Sequence, residues 1–166
     1  KSYGYEIMEP DTGFLAEGYE GKGRMPEPEK IVEAAQLVVL NNAKELPLKG
    51  KKVLITAGGT KERIDPVRFI SNDSSGKMGY SLAKAARDLG AEVKLVTATN
   101  LLPIPFGVES IYVQSSEEME SEVLDKFHNL DMVIMAAAVS DYRPKTQANV
   151  KIKKTNEDMN LVLEKT

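Results

Sequence analysis

Two small-residue segments have the residue types that bind a phosphate. Residues 58–60 are Gly-Gly-Thr, and Ser74, Ser75 and Gly76 stand where a helix is predicted to begin. Unpaired backbone N–H groups and the helix dipole favour an anion at such a position. Small side chains also let phosphate oxygens come close to the backbone. The alternative is that Ser74 or Ser75 only caps the helix, which is the commoner role for an isolated serine.

A further cluster, residues 136–141, directly follows a predicted strand and has the sequence Ala-Ala-Ala-Val-Ser-Asp. The small alanines leave room for a flat base against the backbone. Asp141 could accept hydrogen bonds from hydroxyl groups or hold a cation. Close packing of the alanines between helix and sheet, and helix capping by Asp141, explain the same residues equally well.

The last cluster is basic, since residues 151–154 are Lys-Ile-Lys-Lys. Alternation with a period of two would place Lys151 and Lys153 on one face of a strand. Beside a phosphate-binding crevice, these lysines would neutralise negative charge that develops during group transfer. A run of lysines is more often simply a solvated surface.

These clusters depend on strands and helices that alternate along the chain. Strands are predicted at residues 53–57, 92–97, 111–113 and 132–136, and helices at residues 26–42, at residues 76–89 and after Ser115, which forms a capping box with Glu118. The apolar face of the second helix is predicted to contain Met78, Leu82, Ala85 and Leu89. Strands joined by helices pair in parallel, so the predicted fold is α/β: a doubly wound, Rossmann-like, mostly parallel sheet with helices on both faces. Such sheets bind ligands beyond the carboxyl ends of their strands.

Composition restricts the classes of function. The 166 residues include 42% apolar residues, carry a net charge of -3 and contain no cysteine. Disulfides, zinc–thiolate sites and cysteine nucleophiles are therefore excluded within this chain, and bulk charge does not predict a nucleic-acid partner. No signal-peptide pattern is visible and no apolar run approaches the roughly 20 residues that span a bilayer, so a cytoplasmic protein without membrane contact is expected. Glycine-rich residues 1–25 are consistent with a flexible linker.

Two common nucleotide sites do not fit the sequence. A dinucleotide site needs a Gly-x-Gly-x-x-Gly turn after the first strand and a carboxylate after the second. The second strand is instead followed by Ala98, Thr99 and Asn100. A P-loop needs Ser or Thr after its Gly-Lys pair, but Gly76-Lys77 is followed by Met78.

Five ordered blocks within residues 48–166 resemble the phosphopantothenate–cysteine ligase family. They are residues 55–60, 65–68, 70–79, 137–142 and 151–154. Residues 4–30 are similar to the end of the flavin-dependent phosphopantothenoylcysteine decarboxylase, which bacteria often fuse ahead of the ligase. The resemblance divides the chain into residues 1–47, the decarboxylase tail with a linker helix, and residues 48–166, a CTP-binding ligase domain truncated at its C-terminus.

The resemblance implies a CTP-dependent reaction. The carboxylate of 4′-phosphopantothenate would form an acyl-cytidylate, from which L-cysteine displaces CMP, with Mg²⁺ or Mn²⁺ as the metal. Lys151 would support activation by CTP and Asn72 would hold the acyl-cytidylate as the two catalytic residues. The implied nucleotide-binding residues are Gly58, Gly59, Thr60, Ser74, Ser75, Gly76, Met135, Ala136, Ala137, Asp141, Lys151 and Lys153. Asn72, Ala138 and Arg68 would bind substrate, and cytosine would be selected by backbone groups after the fourth strand.

The resemblance also implies limits and partners. A homodimer is expected, with a higher oligomer when the ligase is fused to the decarboxylase. Glu17 stands where the decarboxylase family usually has a proton-donating cysteine, so no decarboxylase activity is expected from this chain, and FMN is expected only in the fused decarboxylase domain. Two other functions stay open: a nicotinamide-dependent reductase and a non-catalytic nucleotide-binding or assembly module.

Overall fold

The structure is a computed structural model that describes residues 5–42, 45–154, 156 and 158–166. The strands are β1 (Asp11–Phe14), β2 (Glu20–Arg24), β3 (Lys52–Ala57), β4 (Lys61–Arg63), β5 (Phe69–Ser71), β6 (Glu92–Thr97), β7 (Glu109–Tyr112), β8 (Met132–Met135), β9 (Tyr142–Pro144) and β10 (Leu163–Lys165). The helices are α1 (Pro28–Asn41), α2 (Lys77–Asp88) and α3 (Ser116–Lys126), and a 3₁₀ turn at Phe127–Asn129 follows α3.

Four parallel strands form the central sheet, in the order β7–β6–β3–β8. Ile55 of β3 is in register with Leu95 of β6 and with Ile134 of β8. The chain builds outward from β3 through β6 to β7, and then crosses to the other side of β3 to add β8. The strand order therefore reverses between β3 and β8, which is where doubly wound sheets open a crevice for ligands.

Alternating side chains of β3 build two cores on opposite faces of the sheet. Val53 and Ile55 pack in a cluster with α2 residues such as Ala83, while Leu54 packs in a second cluster with Met119 of α3. Since both faces of β3 are covered, nearly every residue of the strand is buried. The predicted α/β fold with a parallel, Rossmann-like sheet and helices is confirmed.

The predicted buried face of α2 is wrong by about one residue. Met78 is 69% exposed and Leu89 is 42% exposed, whereas Gly79, Ala83 and Ala86 are buried. A Cβ on Gly79 would lie 2.7 Å from the carbonyl oxygen of Thr56. The helix therefore places Gly79 and two alanines against the sheet, because small side chains let its backbone come closest to β3. Met78 and Leu89 stay exposed, whereas the predicted Leu82 is partly buried against the core beside the buried Tyr80.

The capping prediction for α3 is confirmed in one half only. The Ser115 hydroxyl accepts from the backbone N–H of Glu118 at 3.1 Å, as a capping box requires. The Glu118 carboxylate, however, accepts from the N–H of Gln114 at 2.6 Å rather than from that of Ser115.

Helix α1 is attached to the sheet domain mainly through polar contacts. None of its residues, all of which the structure describes, is buried. The Glu33 carboxylate accepts from the Arg87 guanidinium of α2 at 2.8 Å and from the backbone N–H of Phe106 at 3.2 Å. Because the Arg87 side chain is only 5% exposed, this ion pair lies under the helix and holds it in place.

Three two-stranded antiparallel sheets were not predicted from the sequence: the hairpins β1–β2 and β4–β5, and the pair β9–β10, whose strands are distant in sequence. The first occupies part of the glycine-rich segment interpreted as a flexible linker, and its Gly13 is paired with Gly21. The second occupies what was predicted as a long polar loop. Among the described residues, no helix is long and apolar enough to cross a membrane.

Candidate ligand-binding site

The loops after β3 and β8 meet at the point where the strand order reverses. Gly59 and Ala138 form a parallel bridge beyond the ends of their strands. The N–H of Ala138 donates to the Gly58 carbonyl at 2.8 Å, and the N–H of Thr60 donates to the Ala138 carbonyl at 3.3 Å. The structure therefore brings together the first two clusters that the sequence singled out.

The start of α2 lies against the same loop. Gly58 and Gly76 both have positive φ angles, of 85° and 76°, a conformation that favours glycine. A Cβ on Gly76 would lie 3.3 Å from the Gly58 Cα and 2.7 Å from the Thr99 Cγ2. Glycine is therefore required at Gly76 both by its backbone angle and by its neighbours, and the first turn of α2 is fixed at the carboxyl edge of the sheet.

The first turn of α2 has little side-chain capping. Gly76 is its N-cap residue and has no side chain to accept from the helix N–H groups. The Ser75 hydroxyl accepts from the Lys77 N–H only at 3.4 Å, and the Ser74 N–H donates back to the Asn72 carbonyl at 2.9 Å. Because the first N–H groups of a helix have no partner within it, this turn keeps donors that an anion can accept from.

Asn72 links the segment before α2 to the loop after β8. Its side-chain amide donates to the Val139 carbonyl at 3.0 Å and, at 3.4 Å, to that of Ala138. The backbone carbonyl of Asn72 lies so close to Gly59 that a Cβ there would approach it to 2.6 Å. Asn72 therefore lies at the crevice, beside the predicted substrate-binding residue Ala138, and its exposed side chain borders solvent.

Four backbone N–H groups after β8, those of Ala136, Ala137, Ala138 and Ser140, are already bonded within the chain. The buried Thr56 hydroxyl accepts from the N–H groups of Ala136 and Ala137, each at 3.1 Å. The Ser140 N–H donates to the Thr60 hydroxyl at 3.0 Å. Since these donors are used inside the chain, they fix the shape of the loop rather than present a hydrogen-bonding pattern to a ligand.

Met135 and Asp141 lie at the two ends of this loop, and both are exposed. Met135 lines a cavity of about 620 Å³ on the α3 side of the sheet, together with Val139 and Met119. The backbone carbonyl of Asp141 accepts from the Thr166 N–H at 3.1 Å. No group of three or more His, Asp or Glu side chains in the described parts of the chain could hold a metal ion.

A buried carboxylate joins the β4–β5 hairpin to the basic segment. Asp65, at the turn of the hairpin, has 0% exposure and accepts from the N–H groups of Val67 and Arg68 at 2.9 and 2.8 Å. Its other oxygen accepts from the Arg68 guanidinium at 2.6 Å and from the Ile152 N–H at 3.1 Å. Arg68 in turn donates to the Ile152 carbonyl at 3.0 Å, so both backbone groups of Ile152 are held.

The basic segment, residues 151–154, is not a strand, so the predicted face of alternating lysines is wrong. Lys151 and Lys153 are exposed and lie on either side of the anchored Ile152. The segment is fixed at the turn of the hairpin, whereas Thr60 and Asn72 lie at its base. Strands of three residues span about 10 Å, so the turn that holds this segment and the crevice lie at opposite ends of the hairpin.

The Arg68 guanidinium lowers the pKa of the Asp65 carboxyl far below its usual range, and backbone N–H groups add to this effect. Burial acts in the opposite direction by disfavouring the charged form. The donors outweigh burial, so Asp65 is an anion that binds its neighbours tightly. Arg68 was predicted to bind substrate directly; its contacts in the structure are with Asp65, Ile152 and the Met159 sulfur.

Sequence reasoning did not identify Thr56 and Asp65 as residues that shape the site. Thr56 is the buried polar residue of β3, which is a signal that its hydroxyl has a buried partner. Asp65 precedes Arg68 by three residues, a spacing at which a turn can bring the two side chains together. Neither pattern names the partner, because Ala136 and Ile152 are remote in sequence.

Several proteins are similar to this chain. The bifunctional coenzyme A biosynthesis protein CoaBC of Bacillus subtilis (strain 168) is 49% identical over 98% of the chain, which spans 40% of that protein. A cysteine/cysteine sulfinic acid decarboxylase from an unknown prokaryotic organism is 46% identical over 100% of the chain and 47% of its own length. The chain thus spans less than half the length of these two relatives.

Two solved structures are also similar to this chain. The crystal structure of the C-terminal domain of a CoaBC protein superposes with a TM-score of 0.63 at 46% identity, over 74% of this chain and 57% of that one. The DNA/pantothenate metabolism flavoprotein from Streptococcus pneumoniae superposes with a TM-score of 0.62 at 30% identity, over 70% of this chain and 61% of that one.

These names overturn the ligase prediction. A relative aligned with the whole chain is named a decarboxylase, and a similar solved structure is described as a flavoprotein. The predicted CTP-dependent ligase, which uses Mg²⁺ or Mn²⁺ to join 4′-phosphopantothenate to cysteine, is therefore wrong. These names likewise contradict the expectations that FMN and decarboxylase activity lie elsewhere.

The family assignment rests on a match that covers most of the chain. Residues 48–166 match the family described as the DNA/pantothenate metabolism flavoprotein C-terminal domain. This range includes the whole parallel sheet and all three loops of the crevice. The chain therefore belongs to the family of DNA/pantothenate metabolism flavoprotein C-terminal domains.

Proposed function

We propose that this chain is the C-terminal domain of a coenzyme A biosynthesis flavoprotein, and that its crevice binds 4′-phosphopantothenoylcysteine for the decarboxylase step. The relatives that carry these names are longer than the chain, so the complete reaction is proposed for the longer protein. The predicted cytoplasmic location is part of the same proposal.

The convergence of three loops on the first turn of α2 carries this proposal. Gly58 and Gly76 bring the loop after β3 against the helix start, and Asn72 connects both to the loop after β8. A helix start without a capping side chain is suited to a phosphate group. The crevice also lies where the strand order reverses, the position at which sheets of this type bind ligands.

One helix start holds one phosphate, so the backbone of Gly76 and Lys77 is assigned to the phosphate of 4′-phosphopantothenoylcysteine and not to that of a flavin mononucleotide. A flavin bound to the longer protein would supply a reversible electron acceptor. The N–H groups of Ala136 and Ala137 are bonded to Thr56, so they do not serve the polar edge of a flavin ring. This chain would therefore bind a phosphate and orient the attached acyl chain.

Calorimetry with two ligands tests the proposal. 4′-Phosphopantothenoylcysteine is compared with pantothenoylcysteine, which lacks the phosphate and retains the rest of the molecule. We expect at least about a tenfold weaker affinity without the phosphate, equivalent to about 1.4 kcal/mol. Equal affinities for the two compounds would show that the crevice does not bind the phosphate.

A charge substitution separates binding from folding. Ser75→Asp places a carboxylate at the start of α2, where it stabilises the helix dipole and repels a phosphate. We expect this variant to lose affinity for the phosphorylated ligand while its unfolding temperature does not fall. Ser81→Asp, at an exposed position within the same helix, is the matched control and should bind like the unmodified chain. Full affinity in Ser75→Asp would contradict the proposal.

A further inference from the structure

The loop after β6, residues 98–106, borders the helix start on the side away from β8. Its residue Thr99 is 7% exposed and packs against both glycines of the helix start. The Cγ2 methyl group of Thr99 would lie 3.1 Å from a Cβ on Gly58 and 2.7 Å from a Cβ on Gly76. This methyl group therefore fills the space beside the start of α2 and supports the contact between the two glycines.

The backbone of Thr99 is held from two directions. The Thr97 hydroxyl, at the end of β6, accepts from the Thr99 N–H at 3.2 Å and lies 3.1 Å from the Thr99 carbonyl oxygen. The phenol hydroxyl of Tyr80 donates to the same carbonyl at 3.0 Å. Thr97 shapes the loop from within, whereas Tyr80 belongs to α2. Thr99 is therefore held by a hydrogen bond from the helix whose start it supports.

Tyr80 bonds to both sides of this contact. Its N–H donates to the Gly76 carbonyl at 3.2 Å, one turn earlier in α2. Its ring belongs to the core cluster with Ala57 and Ala83 and is only 6% exposed, so it lies behind the crevice rather than within it. A phenylalanine ring would fill the same core space, and a buried hydroxyl is costly unless it is bonded. The hydroxyl therefore has a role that core packing does not explain.

Glycines at the helix start make such support necessary. Gly58 and Gly76 both have positive φ angles, and glycine has more conformational freedom to lose than any other residue. Neither residue has a side chain that could hold its own backbone in place. Hydrogen bonds weaken steeply when a donor turns away from its acceptor. A small shift of this turn would therefore weaken several bonds to a bound phosphate at once.

We propose that Tyr80 is a positioning residue for phosphate recognition. Its hydroxyl holds Thr99 against Gly58 and Gly76, and thereby keeps the N–H groups at the start of α2 directed towards the phosphate. This inference rests on the proposed function and deepens it, because it names a residue on which selectivity for the phosphorylated ligand depends. Tyr80 acts through Thr99 and does not contact the ligand.

Hydrogen exchange without any ligand tests the structural step. Tyr80→Phe removes the bond to the Thr99 carbonyl and retains the ring in the core. We expect the Thr99 amide to exchange about fivefold faster in this variant, since exchange reports local opening. The amides of β3 should exchange at the rate of the unmodified chain. An unchanged rate at Thr99, or an equal rise in β3, overturns the proposal.

Calorimetry with the same two ligands tests the functional step. We expect Tyr80→Phe to bind 4′-phosphopantothenoylcysteine about fivefold more weakly, the effect of one hydrogen bond, and to bind pantothenoylcysteine as the unmodified chain does. A general loss of structure would weaken both affinities alike. The ratio of the two affinities is therefore the measurement that decides, and an unchanged ratio overturns the proposal.

Tyr112→Phe is the matched control. Tyr112 lies in β7 and is 47% exposed, so loss of its hydroxyl leaves the core and the helix start as they are. Both affinities should equal those of the unmodified chain. A fall in the affinity ratio as large as that of Tyr80→Phe would show that the effect does not depend on the bond to Thr99, and would overturn the proposal.

A double-mutant cycle tests whether Tyr80 acts through Thr99. Thr99→Ser removes the Cγ2 methyl group and retains the hydroxyl that accepts from the Leu101 N–H at 3.3 Å. If the methyl group carries the effect, Tyr80→Phe should lower the affinity of the Thr99→Ser chain by no more than about twofold. Fully additive losses would mean that Tyr80 acts by another route, and would overturn this step.

The two ligands also separate failure of this inference from failure of the proposed function. If the unmodified chain binds both compounds equally, the phosphate site fails and the role of Tyr80 in phosphate recognition fails with it. If the unmodified chain prefers the phosphorylated compound and Tyr80→Phe retains the full preference, only this inference fails.

Discussion

The side-chain amide of Asn72 donates to the backbone carbonyl of Val139 at 3.0 Å, across the crevice where the strand order reverses. This bond connects two segments that are distant in sequence and close to the same ligand-binding edge. Although the Asn72 side chain is exposed, it therefore stabilises the loop after β8 and also borders the site.

Asn72→Ala should weaken ligand binding more than it weakens the fold. Loss of one net hydrogen bond should cost about 1 kcal/mol of unfolding free energy, measured by urea denaturation. The affinity for 4′-phosphopantothenoylcysteine should fall about tenfold, because the loop after β8 is released from the crevice. Asn129→Ala, at an exposed position outside the crevice, is the control. Unchanged affinity in Asn72→Ala would show that the bond does not shape the site.

Thr56→Val should destabilise the chain although the two side chains are nearly equal in size. The substitution leaves the N–H groups of Ala136 and Ala137 without their acceptor, at a cost of about 1–3 kcal/mol for each unpaired group that stays buried. Thermal and urea unfolding measure the loss. Thr146→Val, at an exposed position, should stay within about 0.5 kcal/mol of the unmodified chain.

Gly79→Ala should loosen the packing of α2 on the sheet. The added Cβ would lie 2.5 Å from that of Ala57 and 2.7 Å from the Thr56 carbonyl, so the helix must shift. Overpacking of this kind costs about 1–3 kcal/mol. The gain in helix propensity from glycine to alanine is about 1 kcal/mol, so the upper part of the cost range exceeds this gain. Ser81→Ala on the outer face should not destabilise, and a Gly79→Ala chain as stable as the original would refute the close contact.

Arg87→Met should detach α1. The Glu33 carboxylate loses its partner at 2.8 Å, and removing one member of a largely buried ion pair typically costs about 3–5 kcal/mol. Hydrogen exchange of the α1 amides should rise more than that of β3 amides. If the exchange rates of the α1 amides are the same in Arg87→Met as in the unmodified chain, other contacts hold the helix.

Acid should weaken the anchor of the basic segment. The folded-state pKa of Asp65 lies below its ordinary value of 3.8, so its stabilising contribution is complete above that value and is lost as the pH falls towards the folded-state pKa. Unfolding free energies measured between about pH 3 and pH 7 should fall less steeply in acid for Asp65→Asn than for the unmodified chain. Asp73→Asn, at an exposed position, is the control.

The fold could be predicted because the strands carry strong local signals. The apolar run from Val53 to Ala57 and the helix stop at Gly90 are visible in sequence, and alternation of strands and helices restricts the topology. The face of α2 could not be predicted from hydrophobicity. Its orientation is determined by how closely Gly79 approaches Thr56, which depends on backbone distance rather than on the polarity of Met78.

The site could be predicted in location but not in detail. Helix-start and strand-end rules place Gly58, Gly76 and Ala138 at one edge, and the structure brings them together. The roles of Thr56 and Asp65 arise from partners far along the chain. Short antiparallel pairs such as β4–β5 carry too few residues for their alternation to stand out from a polar loop.

The β4–β5 hairpin connects the crevice to the basic segment. Its first strand leaves the crevice after Thr60, its second returns to Asn72, and its turn holds Ile152. The Asp65 carboxylate at this turn accepts from both Arg68 and Ile152, so a displacement of the hairpin would carry residues 151–154 with it.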